Sequence, residues 1–202
     1  MNKFSSFVAG KKRLRHYFRL VPVVGAVAAL ASVGQTVQAA DSTESTWNGG
    51  STSWTTPGNW SPNGVPSATV AAVFNTQVSN EPTITGSAAT AVQGIWVTGS
   101  GVTGNANSLT TITNSGTGTV GVTAATLDGV TASILLDGTG NNSLTMAGNT
   151  KVTGNVLVDN AGTLTFSGAL QGVPSTTTFG GTNALGVINI ANMVQGLSLI
   201  HI

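Results

Sequence analysis

After residue 40 the chain carries one lysine, Lys151, against six carboxylates: Asp41, Glu44, Glu81, Asp128, Asp137 and Asp159. Clustered carboxylates with a nearby Lys or Arg could cleave polysaccharide, because such chemistry needs an acid, a base and a group to hold developing charge. Here the acids are scattered and Lys151 stands alone. Asp128, Asp137 and Asp159 would fall on one face if the chain repeated every ~20–24 residues, as solenoid coils do. With nothing else converging on them, they read as solvated turn aspartates. Histidine occurs only as His16 and His201, near the two ends, so an internal Ser-His-Asp arrangement has no imidazole. Cysteine is absent, which removes disulfides, thiolate metal sites and cysteine nucleophiles together. LLDGTGNNSL (135–144) faintly echoes a calcium-binding Gly-Asp nonapeptide. It occurs once, Asn142 stands where an Asp is needed, and such sites require stacked copies to complete the oxygen shell. The expectation is a chain that is not an enzyme, with no catalytic residue, no cofactor and no metal.

The best recognition candidates are Trp47, Trp54 and Trp60, set in DSTESTWNGGSTSWTTPGNWSPNGVP (41–66). Exposed indole faces stack on sugar rings, so these residues could contact an extracellular glycan. The same large rings could instead plug the open end of a narrow apolar core, and that role is the preferred one. Trp96, inside the apolar run IWVT, reads as core or lateral packing. Asn59-Trp60-Ser61 and Asn141-Asn142-Ser143 are glycosylation sequons, relevant only in a host that modifies them.

The formal net charge of +1 hides a segregation. Lys3, Lys11, Lys12, Arg13, Arg15 and Arg19 all precede residue 20. The remainder has no basic patch, and therefore no electrostatic basis for binding nucleic acid or anionic lipid. The basic start is followed by LVPVVGAVAALASV (20–33), then GQTVQAADSTE. Val37 and Ala39 supply the small residues a signal peptidase reads, so residues 1–39 read as a signal peptide cleaved after Ala39. The apolar run is shorter than the roughly 20 residues that span a bilayer. Export to the periplasmic side, the cell surface or the medium follows.

Only 6% of residues are charged, against about a quarter in ordinary globular chains. The 40% hydrophobic content argues against disorder. Short β-like runs recur at 69–74, 83–85, 95–98, 109–113, 119–123, 132–136, 143–146, 155–159, 163–167 and 186–190, with Gly and Asn between them. Centres about 8–13 residues apart describe an all-β protein with tight connections. A Greek-key β-sandwich and a parallel β-solenoid both fit. Three features favour the solenoid: small aliphatic core residues, Gly-Asn corners that tolerate left-handed backbone, and outward Thr and Ser in place of charges that would repel when stacked. In TLTFS, Leu164 and Phe166 should face inward, and in NVLVD, Val156 and Val158. The division is signal peptide 1–39, Trp-rich cap segment 40–66 and β-solenoid repeats 67–195. The tail at 196–202, from GLSLIHI, loses the Thr/Gly/Asn grammar and reads as translated adapter sequence at the end of a gene fragment.

GNTKVTGNVLVDNAGTL (148–164) resembles the autotransporter-associated β-strand repeat family at Gly148, Asn149, Thr150, Thr153, Gly154, Gly162, Thr163 and Leu164. It departs at Lys151, where an aromatic is common, and at Asn155, where a second Gly is common. WNGGSTSWTTPGNWSPNGVP (47–66) is similar to the Trp-rich region that precedes such repeats. The resemblance implies a right-handed parallel β-helix displayed as a structural or adhesin-like passenger. It implies no catalytic residue and no defined ligand. A neighbouring cell-surface protein is then a second candidate partner beside glycan. It also implies outer-membrane attachment through a C-terminal barrel or sorting segment, and neither pattern is visible in these residues. A secreted carbohydrate-binding module using its tryptophans is the alternative, and a fragment of a β-helix polysaccharide-degrading enzyme a distant third.

Overall fold

Thr, Val and Ile lose little by lying on a pleated surface, while Gly and Thr penalise helix, so this chain forms strands joined by short corners. The computed structural model describes residues 41–62, 64–75, 80–100, 109–139, 141–182 and 185–194, all within one unit, Gln38–Ile202. Residues 1–39, expected to be a signal peptide, and the 196–202 tail lie outside the described residues.

The described chain opens with β1 (Glu44–Trp47), a 3-10 turn at Pro57–Asn59 and β2 (Trp60–Ser61). It then makes five similar passes. The first is β3 (Ala71–Phe74), β4 (Thr83–Ile84) and β5 (Thr90–Val92); the second is β6 (Ile95–Ser100), β7 (Leu109–Asn114) and β8 (Val120–Val122). A hairpin of β9 (Ala125–Leu127) and β10 (Val130–Ala132) interrupts before the third pass, β11 (Ile134–Thr139), β12 (Ser143–Ala147) and β13 (Thr150–Val152). The fourth is β14 (Val156–Val158) and the long β15 (Thr163–Gln171), and the fifth is β16 (Phe179–Gly180) and β17 (Val187–Val194).

Successive passes pair in parallel and in register, giving three rows. The first row is β3-β6-β11-β14-β16, in which Ile95 pairs Ile134, Ile134 pairs Val156, and Val156 pairs Phe179. The second is β4-β7-β12 followed by the front halves of β15 and β17, in which Ile112, Met146, Phe166 and Ile190 are successive partners. The third is β5-β8-β13 followed by the back halves of β15 and β17, in which Val120, Thr150, Leu170 and Met193 are successive partners. Among the named strands, antiparallel pairing is confined to β1 with β2 and β9 with β10. The all-β expectation therefore holds. A Greek-key sandwich would require antiparallel ladders, and the rows are parallel.

Alternation fixes which side chains fill the interior. Leu164, Phe166, Val156 and Val158 are buried, as the sequence pattern predicts, in one cluster fed by all three rows. Thr111, Thr145 and Thr165 are outward partners on successive strands of the second row, where stacked hydroxyl-bearing residues avoid like-charge repulsion. Corners need glycine where passes approach closely. A Cβ at Gly162 would overlap the Asn142 carbonyl, and one at Gly116 would overlap that of Gly86. A second, smaller cluster lies outside the first row: Ala71, Ala125, Leu127, Ala132 and Leu135, flanked by Trp96 and Leu157. The β9–β10 hairpin folds back to cover it.

Candidate functional site

The tryptophan segment sits at the start of the rows. β1 pairs in parallel with β3 and antiparallel with β2, and Ser53 bridges Thr83 ahead of the second row. Trp47, Trp54 and Trp60 are 2%, 1% and 0% exposed. Trp60 is central: its ring centroid lies 4.8 Å from those of both Trp47 and Trp54, and 6.0 Å from that of Phe74, all edge to face. That geometry sets the positive ring edge against the negative face. The Trp60 indole N–H donates to the Trp54 carbonyl at 2.8 Å, and the Trp47 indole N–H to the Asn80 carbonyl at 2.9 Å. The Trp54 indole nitrogen is buried with no hydrogen-bond partner.

Sugar stacking needs an open ring face, and none of these three rings has one. That burial weighs against the sequence-based alternative of glycan contact through Trp47, Trp54 and Trp60, whose rings pack on one another and on Phe74. Asn59 holds the turn that presents Trp60. Its amide nitrogen donates to the Ser53 carbonyl at 2.7 Å and to the Ser51 hydroxyl at 2.8 Å, and the residue is buried. The Asn59-Trp60-Ser61 sequon is therefore closed to modification in the folded chain, whereas Asn141 is exposed.

Glu81 lies just before β4 in the second row; the other five carboxylates gather on the outer side of the first row. Leu136 pairs Val158, so Asp137 and Asp159 follow on adjacent strands, and the spacing argument for stacked aspartates holds for this pair. The Trp96 indole N–H donates to the Asp137 carboxylate at 2.8 Å. Burial pushes the Asp137 carboxyl up; hydrogen bonds from Trp96 and Thr98 pull it back, and the charges of Asp128 and Asp159 push it further up. Burial likewise raises Glu44, with Asp41 and Asp128 adding repulsion, and one Glu44 carboxylate oxygen is buried without a partner. Asp128 belongs to the β9–β10 turn. The Asp41 carboxylate accepts the Gly129 N–H at 2.9 Å, and Ser42 exchanges hydrogen bonds with the Thr126 main chain. Asp159 accepts both the main-chain N–H and the hydroxyl of Thr182.

These contacts tie strands together and leave no carboxylate aimed at a common point. Among the described residues, no group of three or more His, Asp or Glu is placed to hold a metal ion. In the 135–144 stretch, Asn142 is buried and its amide donates to the Asp137 carbonyl at 2.8 Å; the Asn160 amide reaches the same carbonyl at 3.0 Å. Asn142 thus braces a corner. Lys151 lies on β13, in the third row, away from the first-row strand that bears Asp137. His16 and His201 lie outside the described residues.

Sequence reasoning missed the hairpin, although Asp128-Gly129 carried its signal. Both residues adopt positive φ, 45° and 72°, as a two-residue hairpin turn requires, and Asp-Gly favours that turn. Also missed is the far end of the rows, where Val158, Phe179, Gly181, Gly186, Ile188 and Ile190 line a cavity of about 430 Å³.

No family model, no curated protein and no solved structure matches this chain. Among the described residues, no helix is long and apolar enough to cross a membrane.

Proposed function

We propose that this chain is a structural module of an exported, surface-displayed passenger: a right-handed parallel β-solenoid with no catalytic chemistry, in which length and regularity are the function. The observation that carries the reading is the set of three in-register parallel rows, filled by aliphatic partners, with uncharged Thr stacked along the outside of the second row. Right-handedness follows from the near-universal hand of parallel crossover connections. Export follows from the basic and apolar N-terminal segment ahead of small residues at Val37 and Ala39. An adhesin-like role fits a face that presents hydroxyls and main chain to a neighbouring surface protein, and burial of the three end tryptophans weighs against the glycan-binding alternative.

The test is expression of the full chain with an epitope tag in a Gram-negative host. The tag should appear in the medium or be removed from intact cells by added protease, and the mature N-terminus should read Ala40 by mass spectrometry. Retention in the cytoplasm with an intact N-terminus overturns the reading. Turnover of a plant or bacterial polysaccharide by the purified chain overturns its non-catalytic part.

A further inference from the structure

The three rows differ in what they show to solvent. The outer side of the first carries Asp137 and Asp159, and that of the third carries Lys151 between Gly121 and Gln171. The second row has no ionisable side chain from β7 through β15. Thr111, Thr145 and Thr165 are register partners on its successive strands. Thr113, Ser143 and Thr163 stand two residues from them and therefore on the same side. Thr83 of β4 extends the grid as the partner of Thr113, and Glu81, ahead of β4, marks its border. No register shift interrupts the β7-β12 and β12-β15 ladders across this patch. No aromatic ring stands on it either, because Phe166 of β15 is buried inward.

The sheet sets the spacing of this grid. Paired strands lie about 4.7–4.9 Å apart, and same-side residues along one strand recur at roughly 6.6–6.8 Å. Water oxygens on a prism face of ice recur at two repeats close to these, at right angles to each other. Threonine suits such a template. Its β-branching restricts χ1, so hydroxyl and methyl are set before contact and little side-chain entropy is lost on binding. Among the described residues none hydrogen-bonds to the hydroxyl of Thr145 or Thr165, which leaves both to meet water. The chemistry narrows the occupant further. An ionic side chain would hold its own hydration shell and disturb the lattice, and this patch has none. A sugar-binding face would offer a ring to stack on, and this patch has none of those.

We propose that the outer face of the second row binds ice, through Thr111, Thr113, Thr145, Thr163 and Thr165. The ligand is the water lattice itself: hydroxyls take lattice positions, and the methyl groups between them hold the adjoining water in order. The proposal rests on the parallel rows and not on export, so a failure of secretion leaves it standing.

Ice crystal shape and ice recrystallisation, followed with the purified full chain at micromolar concentration, test this. Faceted crystals and slowed grain growth are expected. Thr145→Lys sets a hydrated cation at the centre of the grid and should abolish both effects while leaving the circular dichroism spectrum unchanged. Thr165→Lys carries the same test if Thr145→Lys fails to fold. Gln171→Lys, on the outer side of the third row, should leave both effects intact. Round crystals and unslowed grain growth with the parent chain overturn the proposal. So does activity that survives in the folded threonine variants, or that is lost equally in Gln171→Lys. Co-sedimentation with crystalline cellulose or chitin, without any effect on ice, overturns it in favour of a polysaccharide ligand.

Discussion

At the first pass Trp60 packs on Phe74 between Trp47 and Trp54, and all four rings are buried, whereas at the last pass Phe179, Ile188 and Ile190 stay partly wet around an open cavity. Among the described residues, both regions flank the same three rows. They differ in what the following or preceding residues supply. The N-terminal side brings large aromatics held by a buried asparagine and by indole hydrogen bonds. The C-terminal side brings Gly180, Gly181 and Gly186, which fill nothing. Each interior pass gains stability from two neighbours, so an end must find a substitute for the missing one. The N-terminal end has found it in side-chain volume. Among the described residues, the other side offers only the edge of β17.

The contrast is broken most severely by removing the central ring. Trp60→Ala deletes the side chain that touches Trp47, Trp54 and Phe74 at once, and should cost about 3–5 kcal/mol. Against a typical total of roughly 5–15 kcal/mol, that loss removes from about a fifth to all of the folding margin. Ile190→Ala at the other end should cost less than about 2 kcal/mol, because the site is already half open and leaves little new cavity. Urea denaturation followed by circular dichroism compares the two. Equal losses would mean that the tryptophan layer is no better a seal than the bare edge.

A pair of glycines sharpens the same contrast at the backbone. Gly162 lies at an inner corner, where a methyl group would overlap the Asn142 carbonyl of the preceding pass. Gly162→Ala must push the two passes apart, at a cost of about 1–3 kcal/mol. At Gly180, in the last pass, an added Cβ meets nothing within 4 Å. Gly180→Ala should therefore change stability by no more than about 0.5 kcal/mol. Melting temperatures of the two variants decide the matter, and a Gly180→Ala loss matching that of Gly162→Ala would show that the space beside Gly180 is not open.

How much of this was legible in the residues depends on strand length. Runs such as SLTM and TLTFS alternate long enough to reveal an inward and an outward side, and each lies within a strand. The third row was largely hidden, because TAV at β5 and TKV at β13 are three residues long and carry no readable period. The stacking of Asp137 on Asp159 was legible from spacing alone. The burial of Trp47, Trp54 and Trp60 was not decided by sequence, since an indole covers a core end and a sugar ring with equal chemistry. The outer cluster was hidden for a different reason: Leu135, Leu157 and Trp96 break the inward-outward alternation, and the hairpin that covers them is an insertion between passes.

The smallest expected effect comes from the acidic side of the first row, which joins the two ends electrostatically. Glu44 stands on β1 at the capped end, and Asp137 and Asp159 lie toward the open end, with Asp128 acting on both Glu44 and Asp137. Burial and like-charge repulsion hold the carboxyls of Glu44 and Asp137 above their ordinary values of 4.5 and 3.8. A raised carboxyl means that the charged form is the less welcome one in the fold. The penalty is complete above the folded pKa values, shrinks as pH falls through them, and is gone below the ordinary values. Stability should therefore rise modestly as pH is lowered from neutrality into that window, opposite to the behaviour of a protein held by ion pairs. Both groups are partly solvated, so the gain is muted by water and salt. Asp137→Asn keeps a hydrogen-bond acceptor for the Trp96 indole while removing the charge, and should raise the urea midpoint at pH 7 and flatten its dependence on pH. A midpoint that falls on acidification, or that is lowered at neutral pH by Asp137→Asn, would mean that the Trp96 bond to the charged carboxylate outweighs the repulsion from Asp128 and Asp159.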